Sequence, residues 1–178
     1  MNRSELIAQI PGLRRYARAL TGDAWTADDL VQDTLERACK KWRFWVAGSD
    51  LRAWLFTLMH NLFVNQLRRS SRQAGMVALD IDDLSNELAA PDAGQEQAMD
   101  LQRCLMRLPQ DQRAVLLLVS LEDMSYEETA RIVGAPVGTV MSRLSRARTR
   151  LRELMDSPAK TPAVPDSSGN VAALRRLK

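Results

Sequence analysis

The stretch "GAPVGTVMSRLSRARTRLREL", residues 134–154, carries Arg143, Arg146, Arg148, Arg150 and Arg152 and no acidic residue from Gly134 to Arg152. On a helical wheel, Val140, Leu144, Ala147, Leu151 and Leu154 fall on one side, the spacing of a buried stripe. Ser142, Ser145, Arg146 and Thr149 fall opposite, with Met141 and Arg152 on one shoulder and Arg143, Arg148 and Arg150 flanking. That pattern suits a DNA major groove. Small side chains let the helix axis approach, arginine bonds bidentately to guanine, and flanking arginines neutralise phosphates. Taken alone, the helix suits an acidic protein partner equally well. The segments before it decide.

Ser125 and Glu128 form a capping box that opens a short helix ending at Val133, after which Gly134 supplies a left-handed cap and Pro136 begins the basic helix. A short helix, a Gly-containing turn and a basic helix make a helix-turn-helix. Upstream, "DLQRCLMRLPQDQRAVLLLVSLEDM" reads as two helices divided near Pro109.

The N-terminal part is also helical. Pro11 is expected in the first turn of a helix through "LRRYARAL", ended by Gly22; Thr26 and Asp29 resemble a capping box opening the next. There Leu30, Val31, Leu35, Ala38, Cys39, Trp42 and Trp45 recur at helical spacing, leaving Asp29, Gln32, Asp33 and Glu36 facing away. After the break at Gly48, Ser49 or Asp50 can cap a third helix that buries Leu51, Trp54, Leu55, Leu58 and Leu62. Asn61, Asn65, Arg68 and Arg72 form one polar stripe along it, a row of donors suited to base edges and phosphates. His60 reads as a packing or surface residue.

Charge is segregated along the chain. Residues 1–72 hold 12 basic and 7 acidic groups, 73–100 hold none and 7, 101–156 hold 9 and 7, and 157–178 hold 4 and 1. The reading is an all-α protein of two small helical domains, 1–72 and 98–156, joined by a flexible acidic linker over 73–97, with a disordered tail over 157–178. The second domain is expected to be a helix-turn-helix of winged-helix-like form. No apolar run approaches the roughly 18 residues of a membrane span, and no export signal is visible at the start. Cys39 and Cys104 stand alone and His60 is the single histidine, so neither a disulfide framework nor a metal site is expected. No nucleophile–base pair or phosphate loop points to an enzyme, and no cofactor is implied.

"ADDLVQDTLERA", "DLRAWLFTLMHNLFVNQLRR" and "SYEETARIVGAPVGTVMSRLSRARTRLREL" resemble the two conserved regions of extracytoplasmic-function (ECF) sigma factors, the small branch of the bacterial sigma-70 family. The resemblance spans nearly all of residues 5–155. It implies a region 2 domain for the −10 element and core RNA polymerase, and a region 4 domain for the −35 element. Asp29, Gln32, Asp33 and Glu36 would then dock on the β′ clamp helices, with region 4 on the β flap. The loop Val46–Asp50, with Gly48, Ser49 and Asp50, and the stripe residues Asn61 and Asn65 would take −10 bases flipped from the melted strand, while Arg68, Arg69 and Arg72 hold phosphates. In the −35 complex Met141, Ser142, Ser145 and Arg146 would face bases, and Thr139, Arg143 and Arg148 the DNA backbone. Many relatives carry a basic residue at the place of Met141 and an acidic one at Asn65. The resemblance further implies a cytoplasmic, nucleoid-associated protein that acts as a monomer in holoenzyme, a role in stress response, and an inhibitory anti-sigma factor. Two rivals remain: a helix-turn-helix regulator acting as a dimer on an operator, and a sigma mimic that sequesters an anti-sigma factor.

Overall fold

The computed structural model describes residues 3–42, 50–74 and 93–156, and all secondary structure among them is helical. The order is α1 (Arg3–Thr21), α2 (Ala24–Lys41), α3 (Leu51–Ala74), α4 (Ala93–Met106), α5 (Gln110–Ser120), α6 (Tyr126–Val133) and α7 (Val137–Asp156). No strand occurs among the described residues, so the expected wing is absent from them.

Local chemistry sets most of the boundaries. Gly22 ends α1 at φ +80°, where its N–H donates to the Arg18 carbonyl at 2.9 Å. Pro11 does not open a helix as expected; it lies inside α1, which begins at Arg3. The α2 cap also differs. Asp23, not Thr26, is the N-cap, and its carboxylate accepts from the Thr26 N–H and Oγ1, both at 2.7 Å. These bonds hold the Asp23 carboxyl below the usual carboxylate range. Thr26 is therefore the residue being capped. Asp50 caps α3 by accepting from the Ala53 N–H at 3.1 Å. Helix claims 73–74 and 93–97, both expected in the linker, and the reading of 75–92 and of the tail lies outside the described residues.

α1, α2 and α3 form the first bundle, and α5, α6 and α7 the second, with α4 lying on α7 and α1. The first core gathers Leu13, Tyr16, Leu20, Leu30, Leu55, Phe56 and Met59, with Tyr16 edge-on to Phe56 at 5.3 Å between ring centres. Trp42 and Trp54, expected in the core, are half-buried and meet edge-on at 6.1 Å. Leu118, Ile132, Val140, Leu144 and Ala147 fill the second core.

The two modules pack against each other. α6 packs on α3, α5 on α1, and the buried apolar residues form one continuous cluster. Units this small bury only about 60% of the surface their unfolded chains expose, so each gains by covering the other. Gly22 shows how close the approach is: a Cβ there would lie 2.8 Å from the Met106 sulfur.

Candidate DNA and polymerase interfaces

The helix-turn-helix is built as its residue types require. The Ser125 hydroxyl accepts from the Glu128 N–H at 3.1 Å, and the Glu128 carboxylate accepts from the Ser125 N–H at 2.8 Å. Hydrogen bonding from Ser125 holds the Glu128 carboxyl below its ordinary value. Gly134 adopts φ +64°, and the Ala135 N–H returns to the Ala130 carbonyl at 3.1 Å. The Pro136 carbonyl accepts the Thr139 and Val140 N–H groups, starting α7.

On α7, Val140, Leu144 and Ala147 are buried, while Met141, Ser142, Ser145, Arg146, Thr149 and Arg152 are exposed. The Arg146 Nε donates to the Ser142 carbonyl at 3.2 Å, laying the guanidinium along the exposed strip. Ser142 Oγ turns back to the Thr139 carbonyl at 3.0 Å, which keeps that surface low. Thr139 is half-buried at the helix start. Two flanking arginines depart from the wheel's symmetric picture. Arg143 is held by Asp111 of α5, Nε to Oδ2 at 3.0 Å, with its side chain 26% exposed. Arg148 is turned toward the junction of the modules, where it lines a groove with Ile10, Arg14, Arg18, Leu105 and Leu151.

The α3 stripe is assembled as expected. Asn61, Asn65, Arg68, Arg69 and Arg72 are all exposed. Asp50 is exposed at the helix start, whereas Gly48 and Ser49 lie outside the described residues. His60 is buried beside this stripe; burial first, and the Arg143 charge second, push its pKa down to about 4. It is a neutral packing residue at physiological pH.

On α2, Asp29, Gln32 and Glu36 are exposed, and Glu36 lies 3.6 Å from Lys40. Asp33 is half-buried and approached by the Gln66 amide of α3 at 3.4 Å, so it belongs more to the α2–α3 seam than to the outer face. The other three line a shallow groove between α1 and α2 with Ile10, Arg14, Trp25 and Leu35. Trp25 is 88% exposed there, and Ile7 is 53% exposed. Sequence reasoning passed over Trp25 although it falls off the apolar stripe of α2. A large aromatic in that position has no core to enter. Among the described residues no group of His, Cys, Asp and Glu has metal-binding geometry, and no helix is long and apolar enough to cross a membrane.

A helix-turn-helix with a basic outer strip is thus joined to a helical bundle with an acidic face and a polar stripe, the arrangement of a two-domain DNA-binding protein. Residues 6–60 match the family model "Sigma2 domain of PhyR", and residues 98–151 match "Sigma-70, region 4". The chain is 40% identical to the ECF RNA polymerase sigma factor EcfG of Rhodopseudomonas palustris (strain TIE-1), over 86% of this chain and 84% of that protein. It is 34% identical to the ECF sigma factor SigM of Mycobacterium tuberculosis, over 80% and 71% of the two chains. Among solved structures, the sigma factor RpoE in complex with the anti-sigma factor NepR from Bartonella quintana superposes with a TM-score of 0.77 at 36% identity, covering 88% of this chain and 97% of that one. CnrH, solved with the cytosolic domain of CnrY, gives 0.65 at 26% identity, covering 87% and 88%. The chain belongs to the ECF family of RNA polymerase sigma factors.

Proposed function

We propose that this protein binds core RNA polymerase, places it on promoters carrying a specific −35 and −10 pair, and helps open the −10 region, contributing no catalytic group of its own. The observation that carries the reading is the exposed strip Met141, Ser142, Ser145 and Arg146 on the second helix of a helix-turn-helix whose first helix is capped at both ends. In this reading those four side chains meet −35 bases and Thr139 the backbone. Asn61 and Asn65 take unstacked −10 bases, with Arg68, Arg69 and Arg72 on phosphates. Asp29, Gln32 and Glu36, joined by Trp25, form the docking face for the clamp helices of polymerase, and the action is cytoplasmic. The complexes of RpoE with NepR and of CnrH with CnrY support control by an anti-sigma factor. The apolar groove between the modules, rimmed by Arg14, Arg18 and Arg148, suits an acidic amphipathic segment of such a partner.

A second reading, a sigma mimic that titrates an anti-sigma factor, is favoured by the match of residues 6–60 to the sigma2 domain of PhyR. Run-off transcription with purified core polymerase on a promoter library separates the two. Specific transcripts support the initiation factor. Their absence, together with tight anti-sigma binding, supports the mimic.

A further inference from the structure

Glu122 lies in the loop between α5 and α6, and its side chain is fully buried although it belongs to neither core. Both of its side-chain partners come from the first module. Arg15 of α1 donates Nε to Oε1 at 2.9 Å and Nη2 to Oε2 at 3.0 Å, a bidentate fork. Arg52 of α3 donates Nη2 to Oε2 at 2.8 Å and to the Glu122 carbonyl at 2.7 Å, while its guanidinium stacks on Phe56 at 5.6 Å. Room for the carboxylate exists because residue 12 is glycine; a Cβ there would lie 3.1 Å from Oε2. The next residue, Asp123, is held at φ 51°, a left-handed conformation unusual for a side-chain-bearing residue. The loop is thus shaped to deliver one carboxylate into the other module.

We infer that the Glu122–Arg15–Arg52 cluster is a latch that holds the two modules in a closed state, and that this state must open before the protein can occupy a promoter. The inference rests on the initiation reading. The −35 and −10 elements are by definition about 25 base pairs apart, roughly 85 Å of duplex at about 3.4 Å per base pair. A compact unit of about 150 residues has a radius of gyration near 15 Å and is roughly 40 Å across. The α7 strip and the α3 stripe of the closed form therefore cannot reach both elements together. A buried carboxylate held by two partly exposed arginines suits a latch. Its Coulombic gain is largely offset by desolvation, so it specifies one arrangement strongly while adding little net adhesion. On opening, the Glu122 carboxylate returns to water, where the two arginines already partly lie.

The test is small-angle scattering on the full chain, paired with transcription at limiting protein. Arg15→Glu is the main variant, because its side chain is 53% exposed and its loss opens no core. Glu122→Gln is the second variant, and Arg15→Lys is the charge-preserving control. The latch predicts that Arg15→Glu, and to a lesser degree Glu122→Gln, expand the particle by several Å at unchanged helicity, while Arg15→Lys stays compact. Because apparent affinity scales with the open fraction, promoter output at limiting protein rises roughly 3- to 10-fold in the expanded variants. Dimensions equal to wild type in Arg15→Glu overturn the latch. Expansion without a gain in output overturns its regulatory role. If no protein transcribes, wild type included, the initiation reading fails, while scattering still decides whether the cluster holds the modules together.

Discussion

Arg143 of α7 and Asp111 of α5 are joined Nε to Oδ2 at 3.0 Å, with side chains 26% and 50% exposed. The pair fixes the pitch of α7 against the helix beneath it and takes Arg143 out of the row of free cations on the helix surface. Arg143→Ala is therefore expected to act on stability first. A partly solvated pair is worth about 1 kcal/mol or less, so the expected loss is a few degrees in Tm. Binding to matched and mismatched −35 duplexes should weaken alike. A selective loss on the matched duplex would show that Arg143 reads bases.

Arg146 has the opposite position. It is exposed and aligned along the strip by the Ser142 carbonyl. Arg146→Ala should leave the melting curve unchanged and weaken specific −35 binding by about 1–3 kcal/mol, the range for losing a bidentate base contact. Fluorescence anisotropy on specific and scrambled duplexes at one fixed salt concentration measures the difference. Equal losses on both would reassign Arg146 to phosphate.

Trp25 presents almost its whole ring to solvent beside Asp29, Gln32 and Glu36. Exposed aromatics at the centre of a docking face are frequent hot spots, worth about 2 kcal/mol or more on truncation. Trp25→Ala should reduce affinity for core polymerase by 30-fold or so without lowering Tm. Surface plasmon resonance with immobilised core enzyme checks it, and undiminished affinity removes Trp25 from the interface.

His60 makes stability depend on pH in a defined window. Its folded pKa, about 4, lies below the ordinary value of 6.5, so the folded form resists protonation. The stability it contributes is present above pH 6.5 and is lost progressively as pH falls through 6.5 toward 4. The loss amounts to about 3 kcal/mol when complete. His60→Leu keeps a similar volume and should flatten that part of the profile in urea titrations. An unchanged slope would place the titration elsewhere.

Much of the candidate surface's exposure was legible along the chain because it follows local rules. The wheel of α7 separated Val140, Leu144 and Ala147 from Met141, Ser142, Ser145 and Arg146, and the structure keeps that division. Asn61, Asn65, Arg68 and Arg72 were legible for the same reason: positions along one helix determine one another at 3.6 residues per turn. Ser125 and Glu128 could be paired because their bonds span three residues. Local rules failed where two readings competed. Asp23 precedes Thr26 by the same spacing that separates Thr26 from Asp29, and only the start of α2 shows which one caps.

What tertiary structure alone decided concerns partners distant in sequence. Arg143 is diverted by Asp111, Asp33 by Gln66, and Arg148 by the groove between modules. Above all, Glu122 meets Arg15 across 107 residues and Arg52 across 70, turning an unremarked loop acid into the junction of the protein. Helical periodicity assigns each side chain a direction from its own axis and says nothing of which other helix waits there. That depends on how several apolar stripes cover one another at once, which is a property of the packed whole.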